Sequence, residues 1–288
     1  MTRFLLRCTV LGTALTVAAH APLAAQQTGE PEVLAASSLR FCADPDNLPL
    51  SNEKGEGFEN KLALLIGETW NRKVEFAWWP VRRGFFTRAL NGRYCDIAIT
   101  APVGMDMALT TKAYFGSSYV FVTRTDRKLD ITTLDDPRLK SAKIGVNILN
   151  ADAENTPPAM ALSKHGVVGN LIGFTTFYSE GRDRPEGVIR AVEDGTVDVA
   201  IVWGPLAGYF VQQSKVPLSM SPIVEDTVSG IPFAYRFAMA TRRRDRALRD
   251  SLQTVLDTKR PEIESILKSY NIPLLPDAPA AAGSGPGR

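Results

Sequence analysis

The sequence predicts an α/β protein of two lobes, each with a parallel sheet covered by helices on both faces. Three observations carry this prediction. From Leu39 onward, short apolar runs typical of buried strands alternate with amphipathic stretches of helical spacing. These elements form two sets, with a break near 124–128. The chain has 288 residues, 44% hydrophobic and 22% charged, a globular composition at a length typical of about two domains.

The first set starts with the apolar run LRFCA, which predicts a buried strand. Apolar residues at helical spacing follow Gly57, whereas the next run alternates, with Val74, Phe76 and Trp78 on one side. The predicted strands of this set are 39–43, 73–78, 96–100 and 119–123, and the predicted helices are 58–70 and 82–90.

The second set repeats the alternation, and Pro185 is expected at the first position of one of its helices. Its predicted strands are 143–147, 171–177 and 197–203, with helices at 159–164, at 185–193 and from 205 onward. A further strand at 233–240 and two helices at 245–257 and 261–269 complete the predicted fold. The remaining residues, 275–288, are rich in Pro, Ala and Gly and are predicted to be disordered.

Residues 1–25 have the features of a secretory signal peptide. Arg3 and Arg7 precede an apolar stretch at 8–19, and small residues follow at Ala21, Ala24 and Ala25. The alternative is a membrane anchor, but the apolar stretch is shorter than the roughly 20 residues that a spanning helix needs. The sequence therefore predicts an exported protein whose mature form has no membrane span.

Charge and cysteine content restrict the partners and the compartment. The predicted cleavage removes two of the 33 basic residues and none of the 31 acidic ones, so the mature chain is formally neutral. A nucleic-acid partner is discounted because such proteins carry a basic surplus. Cleavage also leaves two cysteines, Cys42 and Cys95. In an oxidising compartment they form either one disulfide or two buried thiols, and the sequence leaves both open.

Several strings carry a resemblance to a known family. The acidic helix start Gly57-Phe58-Glu59 and the terminal KSYNIP (268–273) resemble the family 3 extracellular solute-binding proteins over about residues 38–274. The strings WWPVRRGF (78–85) and VDVAIVWGPLAGYF (197–210) resemble one branch, the quinoprotein-dehydrogenase-associated proteins. That branch includes the accessory J proteins of methanol dehydrogenase operons, of the MxaJ and XoxJ type.

The resemblance implies a periplasmic-binding-protein type II fold, in which two α/β lobes are joined by a two-crossover hinge. Lobe 1 is then expected to comprise 38–124 plus 232–274, and lobe 2 to comprise 125–231. The ligand of such proteins lies in the cleft between the lobes, at the carboxyl ends of the strands.

Three features that hold an amino acid in ordinary members of the family are missing. The position of the carboxylate-binding Arg falls near Gly104, and the ammonium-binding Asp is replaced by Trp203. The Gly-Thr helix start is replaced by the run Asn-Ile-Leu-Asn at 147–150. A zwitterion held here would leave its charges poorly paired, which favours an apolar or aromatic ligand, or no transported ligand.

The resemblance implies a non-catalytic periplasmic protein that assists assembly or activation of a pyrroloquinoline-quinone (PQQ)-dependent methanol dehydrogenase. The metal of that dehydrogenase is calcium or a lanthanide, and the sequence leaves both open. One alternative is an ABC-transporter substrate-binding protein for an apolar, aromatic or other non-amino-acid solute. A remote alternative is a dehydratase on a solute-binding fold, for which Asp44, Asp46, Glu59 and Asp106 are carboxylate candidates by position. No cofactor or metal of its own is expected.

The expected cleft or partner-binding residues combine aromatic, arginine and acidic side chains near predicted strand ends. They are Asp44, Asp46, Asn47, Trp78, Trp79, Arg82, Arg83, Asp106, Tyr114 and Trp203. Tryptophan and arginine are common interface anchors, although alternation along a strand allows only one of Trp78 and Trp79 to face inward. Asp44-Pro45-Asp46-Asn47 is interpreted as a turn rather than a metal loop, and His165 is expected on the surface.

Overall fold

The computed structural model describes residues 37–81, 84–148, 156–175, 184–223 and 225–276. The predicted signal peptide, Arg82 and Arg83, and residues 277–288 of the predicted disordered tail lie outside these ranges.

Twelve strands are found within the described ranges, and the long apolar runs account for the longest of them. They are β1 Ser38–Ala43, β2 Asp46–Asn47, β3 Ser51–Asn52, β4 Lys73–Trp78, β5 Ile97–Pro102, β6 Leu109–Thr110, β7 Phe115–Arg124, β8 Ile144–Ile148, β9 Leu171–Thr175, β10 Val199–Trp203, β11 Leu218–Pro222 and β12 Ala234–Thr241.

The helices follow the apolar periodicity of the sequence closely. They are α1 Phe58–Thr69, α2 Pro157–Lys164, α3 Gly187–Glu193, α4 Gly204–Gln212, α5 Arg246–Thr258 and α6 Arg260–Ser269. The segment Phe85–Leu90 forms a π-helical turn, and short 3-10 turns occupy Thr125–Arg127 and Pro137–Lys140. The prediction that Pro185 starts a helix is wrong. The helix begins at Gly187, because residues 184–186 form a turn before it.

The strand order is β4-β1-β5-β12-β7-β10-β8-β9, with β6 beside β12 and β11 beside β7. β1 lies parallel to β4 and β5, and β8 lies parallel to β9 and β10. The strands between these two parallel groups, β7 and β12, are antiparallel to their neighbours. The fold is therefore α/β as predicted, but its sheets are mixed rather than purely parallel.

Strand β7 connects the two parallel groups. Its first residues, Phe115–Ser118, pair with β12, whereas Tyr119–Thr123 pair with β10. We use the name first sheet for β4, β1, β5, β12, β6 and the start of β7, and second sheet for the end of β7 with β11, β10, β8 and β9. Because β7 contributes to both sheets, the residue boundaries of the two lobes stay a prediction.

Each sheet has apolar layers on both faces, as alternation along buried strands requires. In the first sheet, one face packs against α1, α5 and α6 around Phe41, Phe58 and Leu252. The other face carries a small-residue layer under the π-helical turn, with Ala89 and Ala98 at its centre. The second sheet has α2 on one face and α3 and α4 on the other.

Candidate functional site

The loops that leave β1, β4 and β5 at their carboxyl ends hold most of the expected site residues, as the rule for parallel sheets anticipates. Asp44 organises two of these loops. Its Oδ2 accepts a hydrogen bond of 2.6 Å from the backbone N–H of Val81, and its Oδ1 accepts one of 3.0 Å from that of Asp46. The Ser51 hydroxyl donates to the Asp44 carbonyl oxygen over 3.0 Å. The Asp44 carboxylate therefore ties the loop after β1 to the loop after β4.

The segment Asp44 to Asn52 folds back on itself as a two-stranded ladder. Asp46 pairs with Asn52, and Asn47 pairs with Ser51. Within the described ranges, no group of three or more His, Cys, Asp or Glu side chains is placed to hold a metal ion. Hydrogen bonds within the loop thus engage its polar groups, and the arrangement is that of a turn.

A buried polar cluster lies beneath this loop. Glu59, at the start of α1, is only 7% exposed. Burial raises the pKa of its carboxyl to about 7, while the hydroxyls of Thr100 and Ser51 act in the opposite direction and the charge of Asp44 raises it further. Burial also raises the pKa of the Tyr114 phenol, whose hydroxyl donates to the Ile99 carbonyl oxygen over 3.2 Å.

The two adjacent tryptophans go to opposite sides of the first sheet, as alternation requires. The ring of Trp78 stacks on Phe76 at 5.1 Å between centroids. Trp79 packs against the small-residue layer, and its ring lies 5.3 Å from that of Tyr94. Both tryptophans are half-buried.

Trp203, the last residue of β10, lies where the two sheets meet. Its indole makes edge-on contacts with Tyr119 at 5.4 Å, Phe237 at 5.5 Å and Tyr235 at 5.9 Å between ring centroids. Burial raises the pKa of the Tyr119 phenol, which therefore stays neutral. Among the described residues, the end of β10 thus meets an aromatic cluster rather than a charged group.

A groove of about 940 Å³ runs between residues 45–56 and helices α3 and α4. Its walls carry charges of both signs, including Asp46, Glu53, Lys54 and Arg190. None of the described tryptophans lines it. The structure therefore separates the expected site residues: Asp46 faces the groove, Asp44 and Tyr114 belong to the polar cluster, and Trp203 sits at the sheet junction. A shared role for them in one cleft stays a prediction.

Helix α4 is fastened to the C-terminal segment by two glycines of the WGPLAG string. A Cβ added at Gly208 would lie 2.0 Å from the backbone oxygen of Asn271, and one at Gly204 would lie 2.5 Å from that of Ser118. The Asn271 side chain donates to the Gly208 carbonyl oxygen over 3.1 Å. Only glycine allows this approach, so two of the strings that carried the resemblance, VDVAIVWGPLAGYF (197–210) and KSYNIP (268–273), meet in space.

Cys42 and Cys95 form a disulfide with a Cα–Cα distance of 5.1 Å. It joins the end of β1 to the residue two positions before β5, and both cysteines are buried in the small-residue layer that also contacts Trp79.

Asp106 lies on the exposed loop between β5 and β6, and its backbone oxygen accepts a hydrogen bond from Arg243.

The expectation that His165 is a surface residue is wrong. Its side chain is only 6% exposed and lies between two carboxylates, with Nε2 at 2.9 Å from Asp226 and Nδ1 at 3.2 Å from Asp135. Burial acts to raise the pKa of Asp226, but hydrogen bonds from Ser229 and His165 hold it below its usual value. No local sequence pattern indicates this, because Asp135 and Asp226 come from distant loops.

Comparisons with known proteins fit this geometry. The chain is 31% identical to the protein MoxJ of Methylorubrum extorquens over 249 residues, which cover 84% of this chain and 83% of that protein. The crystal structure of the periplasmic binding protein XoxJ from Methylobacterium extorquens AM1 superposes with a TM-score of 0.69 at 32% identity, covering 83% of this chain and 100% of XoxJ.

A second solved structure, MxaJ from Methlophaga aminisulfidivorans, superposes with a TM-score of 0.71 at 27% identity, covering 82% of this chain and 100% of MxaJ. No family model matches the chain. Within the ranges that the structure describes, no helix has the length and apolar character needed to cross a membrane.

Proposed function

The chain belongs to the MoxJ family, and it is similar to the solved periplasmic binding protein XoxJ and to the solved MxaJ. We therefore propose that it is a periplasmic accessory protein of a PQQ-dependent methanol dehydrogenase. In this proposal the protein is not an enzyme. It binds the dehydrogenase or its precursor and assists assembly or activation.

The observation that carries the proposal is the aromatic environment of Trp203. An indole packed edge-on against Tyr119, Tyr235 and Phe237 offers no carboxylate to an ammonium group. Gly104, near the position where an Arg would hold the carboxylate, carries no side chain at all. Leaving both charges of a zwitterion poorly paired in a dry site costs several kcal/mol, which supports a partner other than a free amino acid.

The polar cluster supports a non-catalytic role. Glu59 is the one described carboxyl whose pKa is raised to about 7, which is a suitable range for acid–base chemistry. Its side chain is nevertheless buried at the start of α1 rather than open to the groove. A general acid or base must reach its substrate within hydrogen-bond distance, so this position favours a structural role for Glu59.

The experiment immobilises the mature protein and measures binding of the quinoprotein methanol dehydrogenase from the same organism. Saturable binding is expected. In parallel, calorimetry with the standard amino acids is expected to give no heat of binding. Micromolar affinity for an amino acid, together with no affinity for the dehydrogenase, would contradict the proposal and favour a transport protein.

A further inference from the structure

We propose that one exposed face of the first sheet, which we call the π-turn face, docks a folded protein whose surface has an apolar centre and a carboxylate rim. The π-turn face is the outer surface of the small-residue layer. Its apolar residues are Trp79, Val81, Tyr94, Val103 and Met107. The identity of the partner as the dehydrogenase rests on the proposed function.

Large apolar side chains are unusually exposed on this face. Tyr94 is 59% exposed, and Val81, Val103 and Met107 are each 47% exposed. Scattered apolar residues on a surface need no explanation, but a contiguous group marks an interaction site. Tyrosine, tryptophan and methionine are also the residue types enriched in the centres of protein interfaces.

Contacts between the loops that carry these residues join them into one surface. The ring of Trp79 lies 5.3 Å from that of Tyr94. The side chain of Asn91 donates a hydrogen bond of 3.0 Å to the backbone oxygen of Met107, which brings the loop after the π-helical turn to the loop after β5. Trp79 and Met105 pack against the same buried layer.

The support beneath the face is rigid. The layer contains the Cys42–Cys95 disulfide and the tightly packed alanines Ala89, Ala98 and Ala101. The Asp44 carboxylate fixes Val81 through its backbone N–H. A pre-organised surface loses little conformational entropy on binding, so its exposed side chains can contribute more fully to affinity.

The charge around the face identifies the chemistry of the partner. The sequence from Trp79 to Cys95 contains four arginines and no acidic residue. Two of them, Arg88 and Arg93, are exposed and form no ion pair with the described residues. Arg243 is also exposed and adds a third positive charge. It lies beside Asp106, which carries the one carboxylate of the loop between β5 and β6.

Arg242 has a structural role, in contrast to these exposed arginines. It is largely buried and paired with both Asp96 and Asp245. The unpaired cations of the π-turn face are instead suited to carboxylates on another molecule, and such complementarity raises the association rate. A second copy of this chain is disfavoured as the occupant, since like charges would then oppose each other.

The test measures the affinity of full-length mature variants for immobilised methanol dehydrogenase. The double variant Tyr94→Ser with Met107→Ser is expected to bind at least about tenfold more weakly, the loss typical when anchor residues are truncated. The matched control is Met160→Ser with Val168→Ser, which removes residues of 47% and 61% exposure from the α2 region. The control is expected to bind within about twofold of wild type.

Two further variants separate docking from folding and charge from apolar contact. Val103→Glu places a carboxylate on an exposed loop and is expected to weaken binding while leaving the thermal melting temperature unchanged. The double variant Arg88→Gln with Arg93→Gln is expected to slow association with the dehydrogenase several-fold at low salt. The control is Lys128→Gln with Lys140→Gln, which also removes two positive charges and is expected to leave the association rate unchanged.

The outcomes are distinguishable. If wild type binds and the π-turn variants bind equally well, this inference is overturned while the proposed function stands. If wild type binds no form of the dehydrogenase, both are overturned. Self-association of wild type that the Tyr94 variant abolishes would assign the face to a second copy and also overturn the inference.

Discussion

Replacing Glu59 with glutamine is expected to stabilise the protein at pH 8 and to leave its stability nearly unchanged at acidic pH. The carboxyl of Glu59 is buried, and its pKa rises from 4.5 to about 7 on folding. The folded protein therefore retains a proton that the unfolded chain releases between these values. The stabilising contribution of the protonated form is fully present below pH 4.5 and is lost as the pH rises through about 7.

The size of the effect follows from the shift. Each pKa unit corresponds to about 1.4 kcal/mol, so full ionisation of Glu59 in the folded state costs about 3 kcal/mol. Glutamine has nearly the same shape as glutamate, but it has no charge to desolvate. Wild type should therefore lose about 2 to 3 kcal/mol between pH 5 and pH 8 from this group alone, and the variant should not.

Urea denaturation followed by tryptophan fluorescence at several pH values measures this difference. The control is Glu68→Gln, which neutralises an exposed glutamate on the same helix. The control is expected to follow wild type at every pH. The reasoning is refuted if Glu59→Gln has the same pH dependence as wild type, or if the variant is the less stable of the two at pH 8.

Replacing both Cys42 and Cys95 with serine opens a disulfide that spans 53 residues, and the chain-entropy model gives a loss of about 4 kcal/mol, measurable by denaturation against wild type. His165→Ala removes one partner of the buried Asp226 carboxylate, which keeps the hydrogen bonds from Val228 and Ser229, and is expected to cost about 1 to 3 kcal/mol at pH 7. That cost should shrink as acid protonates Asp226, and an unchanged melting temperature would contradict it. Gly208→Ala is expected to lower the melting temperature and increase hydrogen exchange in the C-terminal segment, whereas unchanged exchange would contradict the close approach.

Much of the fold could be predicted because apolar periodicity records burial directly. The runs at Leu39–Ala43 and Val199–Trp203 are buried strands, and the predicted helices at 245–257 and 261–269 differ from α5 and α6 by one residue at most. Strand direction is not encoded in such a pattern. The antiparallel pairing of β7 and β12 was therefore missed, as was β11, whose sequence LSMSP has little apolar character.

The site was less predictable because its contacts join distant parts of the chain. Asp44 and Val81 are separated by 37 residues, and His165 and Asp226 by 61. The loss of the ammonium-binding Asp could be inferred from the sequence, because it depends only on which residue stands at one position, here Trp203. The aromatic neighbours of that indole could not be inferred, because they come from β7 and β12.

We propose that this protein binds a methanol dehydrogenase rather than a transported amino acid. Titration of the immobilised mature protein with the dehydrogenase of the same organism, with and without its metal and quinone, tests it most directly. We expect saturable binding, strongest for the cofactor-free form if the protein acts in assembly. The absence of binding to either form would contradict it.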